Sequence, residues 1–288
     1  MVITPQVLRA PWKALAVLMM AATSGCSREP SPQGPADAPI AYCGSSTIGD
    51  HIITEAAKAF TTRTGIPFGA IETQGSGEGL AKLERGEAEL VGVARPLTLE
   101  EQRQHFDYEI IGYDAVAIFV HPTNPVTTLT KAQLKAIYTG GIDNWKEVGG
   151  PDAKIVCITQ VWGGKRAQMI EFQKSVMDDS PYREDRKECD RQSDQLAALV
   201  SEPLGITATS LSYAIPGVKA ISFEGYAAEP RTVRSGAYLL SRPLLLVTPV
   251  PSRSSVKDFL QFILSAKGQE IVARSFVPVR VNFPAPKS

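Results

Sequence analysis

The chain has few of the residues that usually build catalytic or metal centres. Its 288 residues include only three histidines and four cysteines. His51, His105 and His121 lie outside any metalloprotease, hydrolase or deaminase motif. The cysteines form no CxxC pair and no zinc-like spacing with the histidines. The sequence therefore predicts no metal, no cofactor and no catalytic site, which disfavours an enzyme.

An excess of charge of one sign is also missing. Thirty basic and thirty acidic residues cancel, so no basic field indicates a nucleic-acid partner. Long apolar runs are absent too, because the run at residues 14–22 is too short to span a bilayer. The hydrophobic and charged fractions, 43% and 21%, are those of a globular protein.

Residues 1–25 have the features of a signal peptide. Arg9 and Lys13 precede the short apolar run, and small residues follow it. A buried N-terminal helix is the alternative, and it is disfavoured because a proline-rich stretch comes directly afterwards. We therefore expect an exported protein, located in the periplasm or at the cell surface.

Cys26 and the residues around it predict how the mature chain begins. Small residues before a cysteine resemble a lipoprotein signal, which implies cleavage before Cys26 and lipidation of its thiol. Thr23 stands where leucine is commonest in such signals, so ordinary signal-peptide cleavage stays an alternative. Residues 26–39 are rich in proline and predict an extended tether from the lipid anchor.

From residue 40 onward, short β-rich runs alternate with helical patterns. This alternation predicts an α/β fold with mostly parallel sheets, in which ligands bind beyond the carboxyl ends of the strands. The clearest helical stripe contains Val256, Phe259, Leu260, Ile263 and Leu264.

Three segments combine a predicted strand, a small polar turn and the start of a helix. They lie at residues 44–47, 75–77 and 163–165. A helix start offers unpaired N–H groups and partial positive charge, glycine lets an anion approach, and hydroxyl groups add donors. Each turn alone is also explained by ordinary helix capping, whereas the three together favour an anion site.

Two charged residues follow or open predicted strands. Arg95 can hold an oxyanion with its planar guanidinium or form a surface salt bridge. Asp114 is equally well explained as a ligand residue or as an acid in a turn or hinge.

Several stretches resemble the periplasmic phosphate-binding proteins of phosphate ABC transporters. Residues 44–47 (GSST) resemble the first phosphate loop of that family, and residues 75–80 with 91–97 resemble its second region. Residues 111–120 are similar to its hinge strand, and residues 144–150 (NWKEVGG) to its middle signature, which is the most specific match. The resemblance covers essentially residues 40–280.

This resemblance implies a two-lobed, type II periplasmic binding fold. Residues 40–124 and 216–288 would form lobe 1, and residues 125–215 lobe 2, with the ligand between them. The implied function is that of a monomeric solute-binding protein that captures phosphate or a related oxyanion for the permease of an ABC importer. The alternatives are an oxyanion sensor or scaffold without a transport role, and a phosphatase-like enzyme.

The turns and the resemblance together predict the ligand-binding residues. They are Ser45, Ser46, Thr47, Gly75, Ser76, Gly77, Arg95, Asp114, Gly163, Gly164 and Lys165. Asp114 is the expected acceptor for the proton of phosphate, Arg95 the cation of lobe 1, and Lys165 the cation of lobe 2.

The third loop departs from the family pattern. Thr159 and Val161 stand where the family has Arg and Asp, and Gly163 and Lys165 replace Ser and Thr. Lysine offers a point charge instead of a planar fork, so we expect binding that is weaker or less specific for phosphate than is usual in the family.

The implied lobes also suggest a disulfide. Cys157 and Cys189 both fall in lobe 2, whereas Cys43 ends a strand of lobe 1. A Cys157–Cys189 disulfide with Cys43 reduced is the resulting prediction.

Overall fold

The computed structural model describes residues 38–162 and 166–279. Within these residues the β-strands are β1 (Ile40–Gly44), β2 (Phe68–Glu72), β3 (Leu90–Val93), β4 (Phe106–Val120), β5 (Thr128–Leu129), β6 (Val156–Gln160), β7 (Lys187–Cys189), β8 (Gly205–Ser210), β9 (Lys219–Phe223), β10 (Ser241–Pro249) and β11 (Val277–Pro278).

Helices fill most of the connections between these strands. They are α1 (Ser46–Ile48), α2 (Thr54–Thr64), α3 (Ser76–Glu84), α4 (Lys131–Thr139), α5 (Ala167–Ser175), α6 (Gln192–Val200), α7 (Pro230–Arg234), α8 (Ser254–Leu264) and α9 (Ala266–Ala273). A π-helical turn, Gly49–Ile53, joins α1 directly to α2. The alternation of strands and helices confirms the predicted α/β class.

Strand β4 connects two sheets. Its first part pairs antiparallel with β10 and β11, and its second part pairs antiparallel with β8 and β9. Further out, β1 lies parallel between β2 and β3, and β6 lies parallel between β7 and β8. The sheets are therefore mixed, with the parallel pairs in the outer strands and the antiparallel pairs around β4.

Two hydrophobic clusters accompany the two sheets. One contains core residues between 40 and 111 and between 244 and 276, and we call this part the first lobe. The other contains core residues between 115 and 240, together with Val277, and we call that part the second lobe. Ile221, Phe223 and Tyr238 belong to the second cluster, so the packing favours a return to the first lobe near residue 240. The sequence-based division, which placed that return at residue 216, stays a prediction.

Helix α8 shows how the sequence pattern produces this packing. Val256, Phe259 and Ile263 are fully buried in the first-lobe core, and Leu260 and Leu264 pack against its edge. Burying a side chain of this size contributes about 1.5–3 kcal/mol. The predicted helical stripe is thus confirmed.

The stretch 144–150 has a structural role in the second lobe. Asn144 accepts a hydrogen bond from the Lys146 N–H and so begins a 3-10 helix, which ends at the left-handed Gly149. Trp145 is fully buried, and its ring N–H donates to the Leu204 carbonyl at 2.9 Å. A side chain on Gly150 would lie 2.8 Å from the Trp145 Cβ, so glycine is needed there.

The predicted Cys157–Cys189 disulfide is wrong. Cys43, Cys157 and Cys189 are all free thiols. Cys189 lies opposite Gln160 in the parallel pairing of β6 and β7, three residues along from Cys157. At ordinary strand spacings their Cα atoms are on the order of 10 Å apart, beyond the limit of about 7 Å for a disulfide. Sharing a lobe did not bring the two thiols together.

The predicted signal peptide, Cys26 and nearly all of the tether lie outside the described residues. In the part that is described, no helix has the length and apolarity to cross a membrane.

Candidate anion-binding site

A small cavity lies between the two lobes, beyond the carboxyl ends of β1, β3 and β6. Its walls come from both lobes, and its lining residues are Ser45, Ser46, Thr47, Gly75, Ser76, Ala94, Gln160, Arg166, Ala167, Gln168, Gln192 and Arg242. Ligand sites of α/β sheets are expected at this position.

Four helices begin at this cavity. The first residues of α1, α3, α5 and α6, which are Ser46, Ser76, Ala167 and Gln192, all line it. Helix α1 continues through the π-helical turn to Thr64, so it is the start of a long helical segment. Each helix start adds a partial positive charge to the same small volume.

Three of these helix starts lack a side-chain cap. Ser45, Gly75 and Arg166 precede α1, α3 and α5, and none of them accepts a hydrogen bond from the first turn. Helix α4, away from the cavity, has a full capping box formed by Thr130 and Gln133. Helix α8 also lacks such a cap, so the meeting of the uncapped starts at one cavity is the distinctive feature.

Two glycines set the path of the chain into this region. Gly44 and Gly75 have φ angles of 122° and 111°, which residues with a side chain rarely adopt. A Cβ on Gly44 would also lie 2.4 Å from the Gly92 carbonyl oxygen. Glycine at both positions lets β1 turn sharply into α1 and lets α3 begin beside it.

Two hydroxyl groups are oriented as donors. The Thr47 Oγ1 accepts from the Gln192 Nε2 at 3.1 Å and from the Arg242 Nη2 at 3.3 Å. The Ser76 Oγ accepts from the Ala94 N–H at 3.2 Å. Because these oxygens already accept, their own hydrogens remain for an anion in the cavity.

Arg242 is a cation of the cavity wall, and the carboxylate of Asp114 balances its charge. Its Nε and Nη2 lie 3.0 and 2.8 Å from the Asp114 Oδ2, and both side chains are at least 95% buried. The Ser210 hydroxyl donates to the other Asp114 oxygen at 2.6 Å. Arg242 therefore supplies directed N–H groups but little net charge.

Arg166 differs from Arg242 because no counter-ion holds it. Among the residues that the structure describes, its guanidinium has no hydrogen-bond or salt-bridge partner. It lines the cavity directly before α5. Arg166 is thus the uncompensated positive charge among the described lining residues of the site.

Gln168, a lining residue of the cavity, has an unused acceptor. Its Nε2 donates to the Ala208 carbonyl oxygen, and the Oε1 takes no part in that bond. That Oε1 is buried without a hydrogen-bond partner in the described structure. An unsatisfied buried acceptor is costly, so a ligand that brings a hydrogen to it gains stability.

The two lobes already touch beside the cavity. The Gln192–Thr47 hydrogen bond joins them on the inner side, and the Tyr213 hydroxyl donates to an Asp50 oxygen at 3.1 Å further out. The Tyr213 ring also meets the His51 ring edge-on, with centroids 4.5 Å apart. Burial raises the pKa of Tyr213 and lowers that of His51, so this contact is made by neutral groups at neutral pH.

The structure brings some of the predicted ligand residues together and separates others. Ser45, Ser46, Thr47, Gly75 and Ser76 line the cavity. Gly77, Arg95 and Asp114 do not line it. Gly163, Gly164 and Lys165 lie outside the described residues, so the predicted role of Lys165 stays a prediction.

Arg95 points to another partner. Its guanidinium forms a two-pronged salt bridge with Glu101, at 2.7 and 2.6 Å. Burial raises the pKa of Glu101, but bonds from Arg95 and Thr98 outweigh it, and the pKa is lowered overall. The salt bridge, which was the alternative interpretation of Arg95, is what the structure shows.

Five lining residues with long polar side chains were not among the ligand residues predicted from the sequence. They are Gln160, Arg166, Gln168, Gln192 and Arg242. Arg166 and Gln168 directly follow the third turn, and Gln192 begins a helix after β7, so the strand–turn–helix pattern could have found them. Arg242 has no local signal, because its place is set by pairing of β10 with β4.

Comparison with known proteins gives a consistent result. The PBP superfamily domain matches residues 29–267. A protein named phosphate-binding protein PstS, from Borreliella burgdorferi, is 26% identical over 243 residues, covering 81% of this chain and 87% of that protein.

The match to this chain covers nearly the whole length of two solved structures. One, from Clostridium perfringens, is designated a phosphate ABC transporter substrate-binding protein with bound phosphate; it is 30% identical, with a TM-score of 0.78, and covers 84% of this chain and 100% of that chain. The other is an ABC-type phosphate transport receptor from Vibrio cholerae, with 25% identity and a TM-score of 0.73, covering 83% and 99%. The chain therefore belongs to the PBP superfamily, in the family of phosphate ABC transporter substrate-binding proteins, and has their type II fold.

Proposed function

We propose that this protein captures phosphate outside the cytoplasm and delivers it to the permease of an ABC importer. The observation that carries the proposal is the meeting of four helix starts, three of them uncapped, with the unpaired Arg166 at one cavity. The names of the relatives support the same ligand and the same transport role. The proposal includes a monomer that is held at the membrane by a lipid on Cys26.

The electrostatics of the cavity suit an anion of one or two charges. Each helix start contributes roughly half a unit of positive charge, and Arg166 adds a full unit. Arg242 contributes oriented N–H donors more than net charge, because Asp114 balances its charge. Phosphate is thus held by local dipoles and one cation, in a protein whose formal net charge is zero.

Calorimetry of the mature protein with phosphate, sulfate, arsenate and molybdate tests this function. We expect phosphate and the similarly shaped, protonated arsenate to bind, and sulfate to bind more weakly. Failure of all four oxyanions to bind would contradict the proposal, whereas tightest binding of sulfate or molybdate would keep the anion site and change its ligand.

Discrimination between phosphate and sulfate needs an acceptor for a proton. Near neutral pH phosphate carries at least one proton, whereas sulfate carries none. Asp114 was the predicted acceptor, but Arg242 and Ser210 occupy its oxygens. We propose that the buried, unpartnered Oε1 of Gln168 takes this role.

Replacing Gln168 by methionine should therefore reduce selectivity. Loss of one hydrogen bond of about 1–1.5 kcal/mol should weaken phosphate binding roughly fivefold to tenfold and leave sulfate binding nearly unchanged. Gln195→Met is the matched control, since Gln195 is also buried with an unpartnered Oε1 but does not line the cavity. Equal effects of the two variants on the phosphate-to-sulfate affinity ratio would argue against the role of Gln168.

A further inference from the structure

A larger chamber opens beside the anion cavity. The two share Ser46, Gln160, Arg166 and Gln192 as lining residues, so they are directly connected. The anion cavity is much the smaller of the two, and the chamber has a volume of about 330 Å³. This volume is in the range of sites that hold small organic molecules.

The additional walls of the chamber are polar. They include Asp50, Thr73, Gln74, Asp190, Ser193 and Tyr213. Within the described residues, the Asp190 carboxylate and the Gln74 amide make no hydrogen bond or salt bridge. Both residues are exposed, so a ligand in the chamber would replace water as their hydrogen-bond partner.

The chamber persists while the lobes are in contact. The Gln192–Thr47 and Tyr213–Asp50 hydrogen bonds both cross between the lobes, and three of these four residues line the chamber. The space is therefore present with these two bonds made. An inorganic phosphate ion in the inner cavity would leave it filled only by water.

We propose that the site takes phosphate monoesters whose organic group carries hydroxyls. This inference rests on the proposed function, because the phosphoryl group would occupy the anion cavity. The organic group would extend into the chamber past Arg166, which borders both spaces.

The charges and side chains of the chamber favour such a group. Asp50 and Asp190 place two carboxylates on the chamber wall, so a second anionic group of the ligand gains little there. Carboxylates and the Gln74 amide accept hydrogen bonds from hydroxyls, and hydrogen bonds to charged groups are the stronger ones. The ring of Tyr213 offers an apolar surface to C–H groups.

Calorimetry of the full chain with inorganic phosphate and with glycerol 3-phosphate tests the inference. We expect the ester to bind at least as tightly as inorganic phosphate. Asp190→Ala should weaken ester binding about tenfold, the effect of one hydrogen bond to a charged group, and should leave inorganic phosphate binding unchanged. Asp258→Ala, which removes an exposed carboxylate of α8 outside both cavities, should change neither.

The outcomes separate this inference from the proposed function. If inorganic phosphate binds and the ester does not, the inference is overturned and the proposed function stands. Ester binding that Asp190→Ala leaves unchanged also overturns it, because the chamber then contributes nothing. If neither anion binds, the proposed function fails as well. Unchanged inorganic phosphate binding shows at the same time that the Asp190→Ala variant is folded.

Discussion

Arg166→Ala should weaken phosphate binding roughly tenfold to over a hundredfold. Arg166 is the one cation of the described cavity lining that no carboxylate balances, and a hydrogen bond to a charged group contributes about 1.5–3 kcal/mol. Calorimetry measures the loss directly. Arg166→Lys should give an intermediate affinity, because the charge stays and the planar fork is lost.

Arg191→Ala is the control for this experiment. Arg191 lines the outer chamber but not the anion cavity, so inorganic phosphate should bind nearly as well as to the unchanged protein. An Arg166→Ala variant with unchanged phosphate affinity would show that another cation holds the anion.

Asp114→Asn should lower the free energy of unfolding by about 3–5 kcal/mol, because it leaves the buried Arg242 without its counter-ion. Both side chains of this pair are at least 95% buried. Urea denaturation without phosphate measures the effect. Added phosphate should then stabilise this variant more than the unchanged protein, since an anion in the cavity supplies the missing charge.

Two further variants control for a general loss of charge. Asp178 pairs with Lys131 and Lys135 at the surface, with 54% of its side chain exposed, so Asp178→Ala should cost about 1 kcal/mol or less. Changing both members of the buried pair, Asp114→Asn with Arg242→Met, should recover part of the loss. A loss below 1 kcal/mol in Asp114→Asn alone would show that the pair is not essential to the fold.

The parts of the site that the sequence predicted are those that depend on local structure. At residues 44–47 and 75–76, glycines and small polar residues mark a turn and a helix start in the sequence itself. Their positions follow from short-range preferences. The α/β class was predictable for the same reason, because it follows from alternating local patterns.

The parts that the sequence did not predict depend on long-range pairing. Arg242 reaches Asp114 over 128 residues and Thr47 over 195, through a strand register that no local pattern specifies. The cysteine pairing failed for a similar reason, since the register of β6 against β7 separates the two thiols. Arg95 is an exception, because its salt-bridge partner Glu101 lies only six residues away.

The uncapped helix starts also make the ligand a partner in folding. A side-chain cap typically adds about 1 kcal/mol to stability, and α1, α3 and α5 forgo this contribution where they meet the cavity. Water or an anion can satisfy their N–H groups, and an anion that binds there shifts the equilibrium toward the folded state by mass action. When the nutrient is scarce, the receptor population is at its least stable and most exposed to proteases. Its lifetime outside the cell membrane is thereby tied to the supply of the molecule it collects.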